Sequence, residues 1–490
     1  MTESAANLAV IVLAAGEGTR MKSRALPKVL HGFAGRSMVG HVLAATAPLE
    51  AAQTAVVIGH RREEVAAHLD DIAPEAATAI QAEQRGTGHA VRIALAEIVE
   101  GEGTVLVLPG DAPLLRAQTL QALLDEHHRS GASATLLTSV LADPTGYGRV
   151  IRSGSGVARV VEQKDGNPAE LAVDEVASGV YAFDHAQLRA AVQKLSTDNA
   201  QGEEYLPEVV SIFVADGLTI GAVTAPAEET AGVNDRVQLA QAHHSYNARL
   251  LREHMLAGVT VTDPTSTWVD AEVQIEADAV LLPGVDLHGR TTIGAGAIVG
   301  PQTSLTDTSV GIGSRVARTV AIGAQIGADC EIGPFAYLRP GTELADHVKI
   351  GTYVEVKGSD IGTGSKVPHL SYVGDATIGE HTNIGAATVF VNYDGVHKHR
   401  SVIGSHARTG SDNMFIAPVT VGDGAYTAAG SIITQDVPPG AMAVARARQR
   451  NVLGWVLRKR AGTKAAIAAE QAGATLPSTT ETPDAEGTQS

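Results

Sequence analysis

A chain of 490 residues is too long for one hydrophobic core, so two or three domains are expected. Lysine plus arginine total 37 against 54 aspartates and glutamates, and a formal charge of −17 without a long basic run argues against nucleic acid as the partner. The one cysteine, Cys330, excludes an intramolecular disulfide, fits a reducing compartment, and reads as a small packed residue inside a repeat.

No window is apolar for the eighteen or so residues that a membrane helix needs, and residues 5–15 are too short for a signal peptide. A cytoplasmic protein that meets no membrane is expected. Residues 8–14 (LAVIVLA) form the continuous aliphatic run of a strand buried on both faces of a sheet. Strand-like and helix-like stretches then alternate at 55–58, 63–69, 88–98, 104–108, 119–128 and 134–140. That alternation predicts a doubly wound, Rossmann-like α/β domain over residues 1–233, with ligands at the carboxyl ends of the strands.

The first such end carries Gly16-Glu17-Gly18-Thr19-Arg20, which lacks the spacing of a P-loop or a dinucleotide fingerprint. Alone it reads as a strand-to-helix turn. Its surroundings change that reading. LAAGEGTRM, Pro27-Lys28-Val29-Leu30-His31, Gln81-Ala82-Glu83-Gln84, Gly86-Thr87-Gly88-His89, Pro109-Gly110-Asp111 and Tyr147-Gly148-Arg149 together resemble the signature of sugar-phosphate nucleotidyltransferases.

The resemblance implies that Asp111 and Asn234 hold Mg²⁺, a hard cation that takes oxygen ligands and bridges to phosphate. It places Leu13, Ala14, Gly16, Gln81, Gly86 and Thr87 at the uridine end of a UDP-sugar, with Pro109 and Gly110 beside them. Arg20 and Lys28 then offset phosphate charge, and Gly148, Glu162 and Asn234 meet the amino sugar. From the residues alone, Asp111 reads equally as a turn residue, Asn234 as a helix N-cap and Glu162 as a solvated strand charge. The chain departs from the family twice. Residues 21–28 run one residue long, and Ala177 stands where the family has an asparagine, which removes one sugar contact.

Residues 235–257 read as a long helix closed by Gly258, making 234–258 a linker. From Val261 to Val437 an aliphatic-glycine pair returns in multiples of six, as in Ile332-Gly333 and Ile350-Gly351. This predicts a parallel β-helix of roughly ten coils within residues 259–460. The pattern resembles the left-handed β-helix of hexapeptide acyltransferases, which implies a homotrimer with sites between rods. The period fails at 358–373 and 390–401, and loops ejected there are expected to carry His369, Tyr372, Asn392 and Tyr393.

Within the rod, FAYLRPG (335–341), Val354-Glu355-Val356-Lys357, His369-Leu370-Ser371-Tyr372, Asn383-Ile384-Gly385, Asn392-Tyr393-Asp394-Gly395 and Gly410-Ser411 resemble one bacterial family. In it N-acetylglucosamine-1-phosphate uridylyltransferase is fused to glucosamine-1-phosphate acetyltransferase. The resemblance implies two reactions that feed cell-wall synthesis. Acetyl-CoA acetylates glucosamine-1-phosphate, and the resulting N-acetylglucosamine-1-phosphate takes uridylate from UTP. His369 would be the catalytic base, since an imidazole titrating near pH 6.5 can accept the proton of an attacking amine.

By the same resemblance Arg339 and Lys357 bind the sugar phosphate, and Tyr372 and Asn383 the sugar. Ala386, Asn392, Tyr393, Ser411, Ala429 and Arg446 line the acetyl-CoA crevice, where Ala387 replaces a frequent glycine. Trp455 is expected to cap the rod's core or to close a neighbouring subunit's site, the cap being favoured, and residues 461–490, without periodicity, to be disordered. Two rival readings stand beside this one. The β-helix could merely oligomerise or regulate a nucleotidyltransferase, as in ADP-glucose pyrophosphorylases. Alternatively the chain could be a non-catalytic subunit like those of translation-factor exchange complexes.

Overall fold

The computed structural model describes residues 7–99, 101–154 and 156–476. Leu8–Leu13 lies near the middle of a nine-stranded sheet, between Gln53–Ile58 and Thr104–Pro109, parallel to both. Its aliphatic run is explained by its two faces. Ala9 and Ile11 join the core on one side of the sheet, while Leu8, Val10 and Val12 join the core on the other. Glu175–Asp184 runs antiparallel to its neighbours and holds the hairpin Gly148–Ser153 and Gly156–Val161 at one end, so the sheet is mixed.

The rod consists of three parallel sheets of seven, ten and nine strands, a hexapeptide β-helix of the left-handed type. The inward aliphatics stack coil on coil. Ile332 pairs with Ile350 and Ile350 with Val367, each buried in one continuous core. Cys330 packs in that core.

One expected interruption is absent. Between 358 and 373 the strands continue, with Glu355 paired to Tyr372 and Asp360 to Thr377, seventeen residues on in each case. One residue fewer shortens a corner and leaves Val356 over Val373 and Ile361 over Ile378, so nothing is ejected and His369 ends a strand. The second interruption is an insertion. Val389 pairs with Met414 and Ala376 with Ser401, twenty-five residues on, and the surplus forms a loop at 392–400.

Helix Arg236–Leu256 joins the two parts. Asp235 is its N-cap, accepting from the amides of Val237 and Gln238, so Asn234 is not the cap. Ala242 and Tyr246 pack against Phe33, Met38 and Leu114 of the first domain, and Leu251 enters the core of the rod. The turn carrying Phe33 also touches the first coils directly, through Ala271 N–H to Ala34 O at 3.0 Å and an Arg36–Glu272 ion pair.

Two expectations for the end of the chain change. Residues expected to lack structure form the helix Lys464–Gln471, because its alanines favour helix, Thr463 caps it and Ala466 is buried. The stretch 477–490 lies outside the described residues. Trp455 is 47% exposed, lies beneath the Arg460 guanidinium and takes no part in the rod's core, so it is not a cap. No helix among the described residues is long and apolar enough to cross a membrane.

Candidate functional sites

In the first domain the loops after Leu8–Leu13 and Thr104–Pro109 meet because their strands are paired, Leu13 opposite Pro109. The Gly110 amide donates to Leu13 O at 2.9 Å, and the Ala14 amide to Val57 O at 2.8 Å. Asp111 is thereby set at the carboxyl end of the sheet. Gly18 has φ 63°, and a side chain there would collide with the stem of Lys28. The glycine thus lets Lys28 fold inward.

Lys28 Nζ ion-pairs with Asp111 and donates to Asn234 Oδ1 at 2.9 Å. Arg20 Nη2 donates to the same oxygen at 2.8 Å. Two cations and two oxygen donors, from segments more than two hundred residues apart, therefore converge. A carboxylate and an amide oxygen turned to one point fit a hard cation that completes its shell with water and phosphate.

Gln81 Nε2 donates to Gly86 O at 3.0 Å, closing the loop into which Gln84 Nε2 reaches to Ala15 O at 2.8 Å. Thr87 Oγ1 accepts from the Leu206 amide, and Gly86 holds φ 107° where a side chain would meet Glu204. Ala177 pairs with Gly148, and Glu162, just past the end of the strand Gly156–Val161, lies beside Gly148, so the three form a row across the hairpin. Burial, with Asp165 and Glu203 nearby, pushes the Glu162 carboxyl above its ordinary range. It is not a solvated strand charge.

In the rod, four of the singled-out residues gather at one edge of the ten-stranded sheet. Arg339 Nη1 meets Glu355 at 2.9 Å, Lys357 Nζ meets both oxygens of Asp375 at 2.8 and 3.0 Å, and Asn392 Nδ2 donates to Asp375 Oδ2 at 2.6 Å. The Tyr372 hydroxyl lies 3.4 Å from Asn392 Nδ2. The paired carboxylates hold the Arg339 and Lys357 pKa values above their ordinary range.

His369 heads a column at a neighbouring corner. Lys366, Asn383, Arg408 and Tyr426 are partners across successive coils, and three residues on from each come His369, Ala386, Ser411 and Ala429. Backbone bonds tie the column together, from the Ala387 amide to His369 O, Asp412 to Ala386 O and Gly430 to Ser411 O. Three small residues in line below an exposed imidazole leave an open track, and Arg446 flanks it beside Gly430. Asn383 stands apart from the Arg339 edge, in the sheet between Lys366 and Arg408. Tyr393 is exposed on the inserted loop, its hydroxyl bonded to Gly395 O.

Residues 10–202 match the MobA-like NTP transferase domain, and residues 323–358 the six-repeat bacterial transferase hexapeptide. A protein of Streptomyces avermitilis named bifunctional protein GlmU is 58% identical over 468 residues, 95% of this chain and 97% of its own. Proteins of the same name from Thermobifida fusca and Corynebacterium glutamicum are 58% and 53% identical, covering 95% and 96% of this chain and 97% and 98% of theirs. The chain belongs to the bifunctional GlmU family.

Asp375, and the pairing of Arg339 with Glu355, escaped the reading of the sequence. The signal was there in the stacking: Lys357 pairs with Gly374, so Asp375 sits one coil up and one residue on. Isolated acids in a repeat offer no motif, and only the register of the coils brings them to the cations.

Proposed function

We propose that the chain makes UDP-N-acetylglucosamine in two steps, at two sites. The rod transfers the acetyl group of acetyl-CoA to glucosamine-1-phosphate. The first domain then joins N-acetylglucosamine-1-phosphate to the uridylyl group of UTP and releases pyrophosphate. The observation that carries this is the presence, on one chain, of the Lys28–Asp111–Asn234–Arg20 convergence and the His369 column over small residues. A rod that only regulates a nucleotidyltransferase would not need the His369 column, and a non-catalytic subunit would need neither.

In the rod, the amine of the sugar attacks the thioester carbonyl carbon as His369 accepts its proton. The C–S bond breaks, and the sulfur leaves to be protonated as free coenzyme A. Arg339 and Lys357 hold the phosphate, Tyr372 the sugar, and Ala386, Asn392, Ser411 and Ala429 line the track for acetyl-CoA and its pantetheine arm. Asn383 reaches the sugar from its separate sheet, and Tyr393 and Arg446 bound the crevice.

In the first domain the sugar phosphate attacks the α-phosphorus of UTP, and the bond to the β-phosphate oxygen breaks. Arg20 and Lys28 offset the charge that moves to pyrophosphate. Asp111 and Asn234 would hold Mg²⁺, which supplies charge neutralisation at the phosphates when bound. Leu13, Ala14, Gly16, Gln81, Gly86 and Thr87 receive the uridine end, with Pro109 and Gly110 beside it. Gly148, Glu162 and Ala177 form the wall against the amino sugar. The working form is a cytoplasmic homotrimer.

A split assay on one preparation tests this. Thiol release is followed with acetyl-CoA and glucosamine-1-phosphate, and pyrophosphate release with Mg²⁺, UTP and N-acetylglucosamine-1-phosphate. His369→Ala should abolish the first alone and Lys28→Ala the second alone. Pyrophosphate without thiol from the parent chain would leave the rod a scaffold.

A further inference from the structure

The connecting helix and the segment that follows Asp111 line two adjoining open clefts. One, of about 220 Å³, is lined by Arg36, His41, Arg116, Gln118, Arg249 and Glu253 among others. The other, of about 330 Å³, shares Arg116 and Arg249 and adds Glu228, Glu229 and Arg252. The charges around the first cavity are unequal. Arg36 is paired with Glu272 outside it, and His41 is buried with its pKa held down to about 4, so its imidazole is neutral near pH 7. Glu253 is the one carboxylate in the lining, against three guanidiniums.

One of those guanidiniums, Arg249, has no ion-pair partner, and Arg116 is held on one side only. Arg249 is half-buried, donates to Leu114 O at 3.0 Å and lies over the Tyr246 ring at 4.6 Å, but no carboxylate stands within ion-pair distance of it among the described residues. Burial and the neighbouring Arg116 push its pKa down. Arg116 is ion-paired with Glu229, its buried Nε 3.2 Å from that carboxylate but without a hydrogen bond. Glu253 acts on Arg249 from the same lining without reaching ion-pair distance, and a half-buried guanidinium so weakly paired still costs free energy.

We propose that this cavity binds a small oxyanion, carboxylate or phosphate, on the guanidinium forks of Arg116 and Arg249. Planar forks suit either oxyanion. The space holds several waters, the scale of a small dicarboxylate or of phosphate with part of its shell. The site touches both elements that carry the Mg²⁺-directed oxygens. Residues 113–116 follow Asp111 directly, and Arg249 belongs to the helix that Asn234 precedes. The Val233 amide donates to Asp111 O at 2.8 Å, joining the two elements. An anion that draws Arg116 and Arg249 together therefore adjusts the spacing of Asp111 and Asn234, and with it uridylyl transfer.

Calorimetric titration of the full chain with succinate, and separately with inorganic phosphate, at constant ionic strength and without UTP or Mg²⁺, tests the site. Saturable binding of at least one anion is expected, weakened tenfold or more in Arg249→Gln and in Arg116→Gln. Absence of saturable binding, or equal affinity in both variants, overturns the proposal; equal binding of phosphate alone assigns that phosphate to the catalytic sites. Should Arg249→Gln fail to fold, Arg249→Lys keeps the charge, loses the fork and should still bind tenfold more weakly. The effect on rate rests on the uridylyltransferase reading, whereas binding does not. At subsaturating UTP the anion should change pyrophosphate release at least twofold in the parent and not in Arg249→Gln, with thiol release constant. Binding without that change would establish the site and overturn its coupling. Total absence of pyrophosphate release would sink the activity and leave the binding result standing.

Discussion

Ala387 holds φ 57°, a left-handed conformation in which the methyl group crowds the following carbonyl at a cost of roughly 1–2 kcal/mol. Ala387→Gly removes that crowding and returns part of the gain to the unfolded chain, so stability should rise by about 1 kcal/mol. The midpoint of denaturant unfolding reads this, and an unchanged or lower midpoint would show that the corner is unstrained. Ala177 is 8% exposed, paired with Gly148 and one strand away from Glu162. Ala177→Asn should lower the KM for N-acetylglucosamine-1-phosphate by about 2- to 12-fold, the worth of one neutral hydrogen bond, and leave thiol release alone. At this scale the first site was legible because Lys28, Asp111 and Asn234 sit in motifs. Gly18 was legible as a turn, but its second duty, clearing the stem of Lys28, depends on how the loop closes. The role of Asp375 depends on a coil of seventeen residues that reads in sequence as a broken repeat.

Two buried histidines, one of them against the connecting helix, should make the fold acid-sensitive. His41 stacks on Phe33 at 4.5 Å and meets Tyr246 of the connecting helix at 4.5 Å, and His127 is buried between its helix and Thr135. Burial holds both pKa values down to about 4. Each group is neutral in the fold but takes a proton in the unfolded chain below about 6.5, so the unfolded state binds more protons. Stability therefore falls as pH drops from about 6.5 to about 4, by up to about 1.4 kcal/mol per pH unit per histidine, and levels off below. Thermal midpoints across that range should show the slope, and His41→Phe should flatten it. The inserted loop makes a second element-scale prediction. Asp375 ties both its ends to the rod, accepting from Asn392 through its carboxylate and from the Ser401 amide through its carbonyl, while holding Lys357. Asp375→Asn should lower thiol release about tenfold, since charged hydrogen bonds are worth more than neutral ones, without touching pyrophosphate release. The loop at 392–400 was readable as a lost period. The supposed loop at 358–373 was not, because a shortened corner and an ejected segment both interrupt a six-residue pattern.

At the scale of the whole molecule, one corner of the rod is unfinished. Phe335, Tyr353 and Leu370 occupy successive coils at φ 61°, 57° and 49°, and they are 48%, 60% and 61% exposed. Bulky side chains are rare in that conformation and persist where something offsets the strain. Within the chain the two rings stack at 5.4 Å and Arg318 lies over Phe335, yet the outer faces remain in water. An apolar strip on a rigid rod marks an interface. Leu370 directly follows His369, so a neighbouring rod seated on this strip would also wall the acetyl-transfer track. The domain carrying Lys28 has its own cores, separate from that of the rod. Disrupting the strip should therefore divide the two activities. On the proposed homotrimer, Phe335→Asp combined with Tyr353→Asp is expected to shift the mass in solution, measured by light scattering, from three chains to one. Thiol release should fall at least tenfold with it, while pyrophosphate release stays within about twofold, because exposed polar changes on the rod leave the first domain's packing intact. A three-chain mass with full thiol release would place the interface on another face of the rod. A one-chain mass with full thiol release would show that a single rod completes its own crevice.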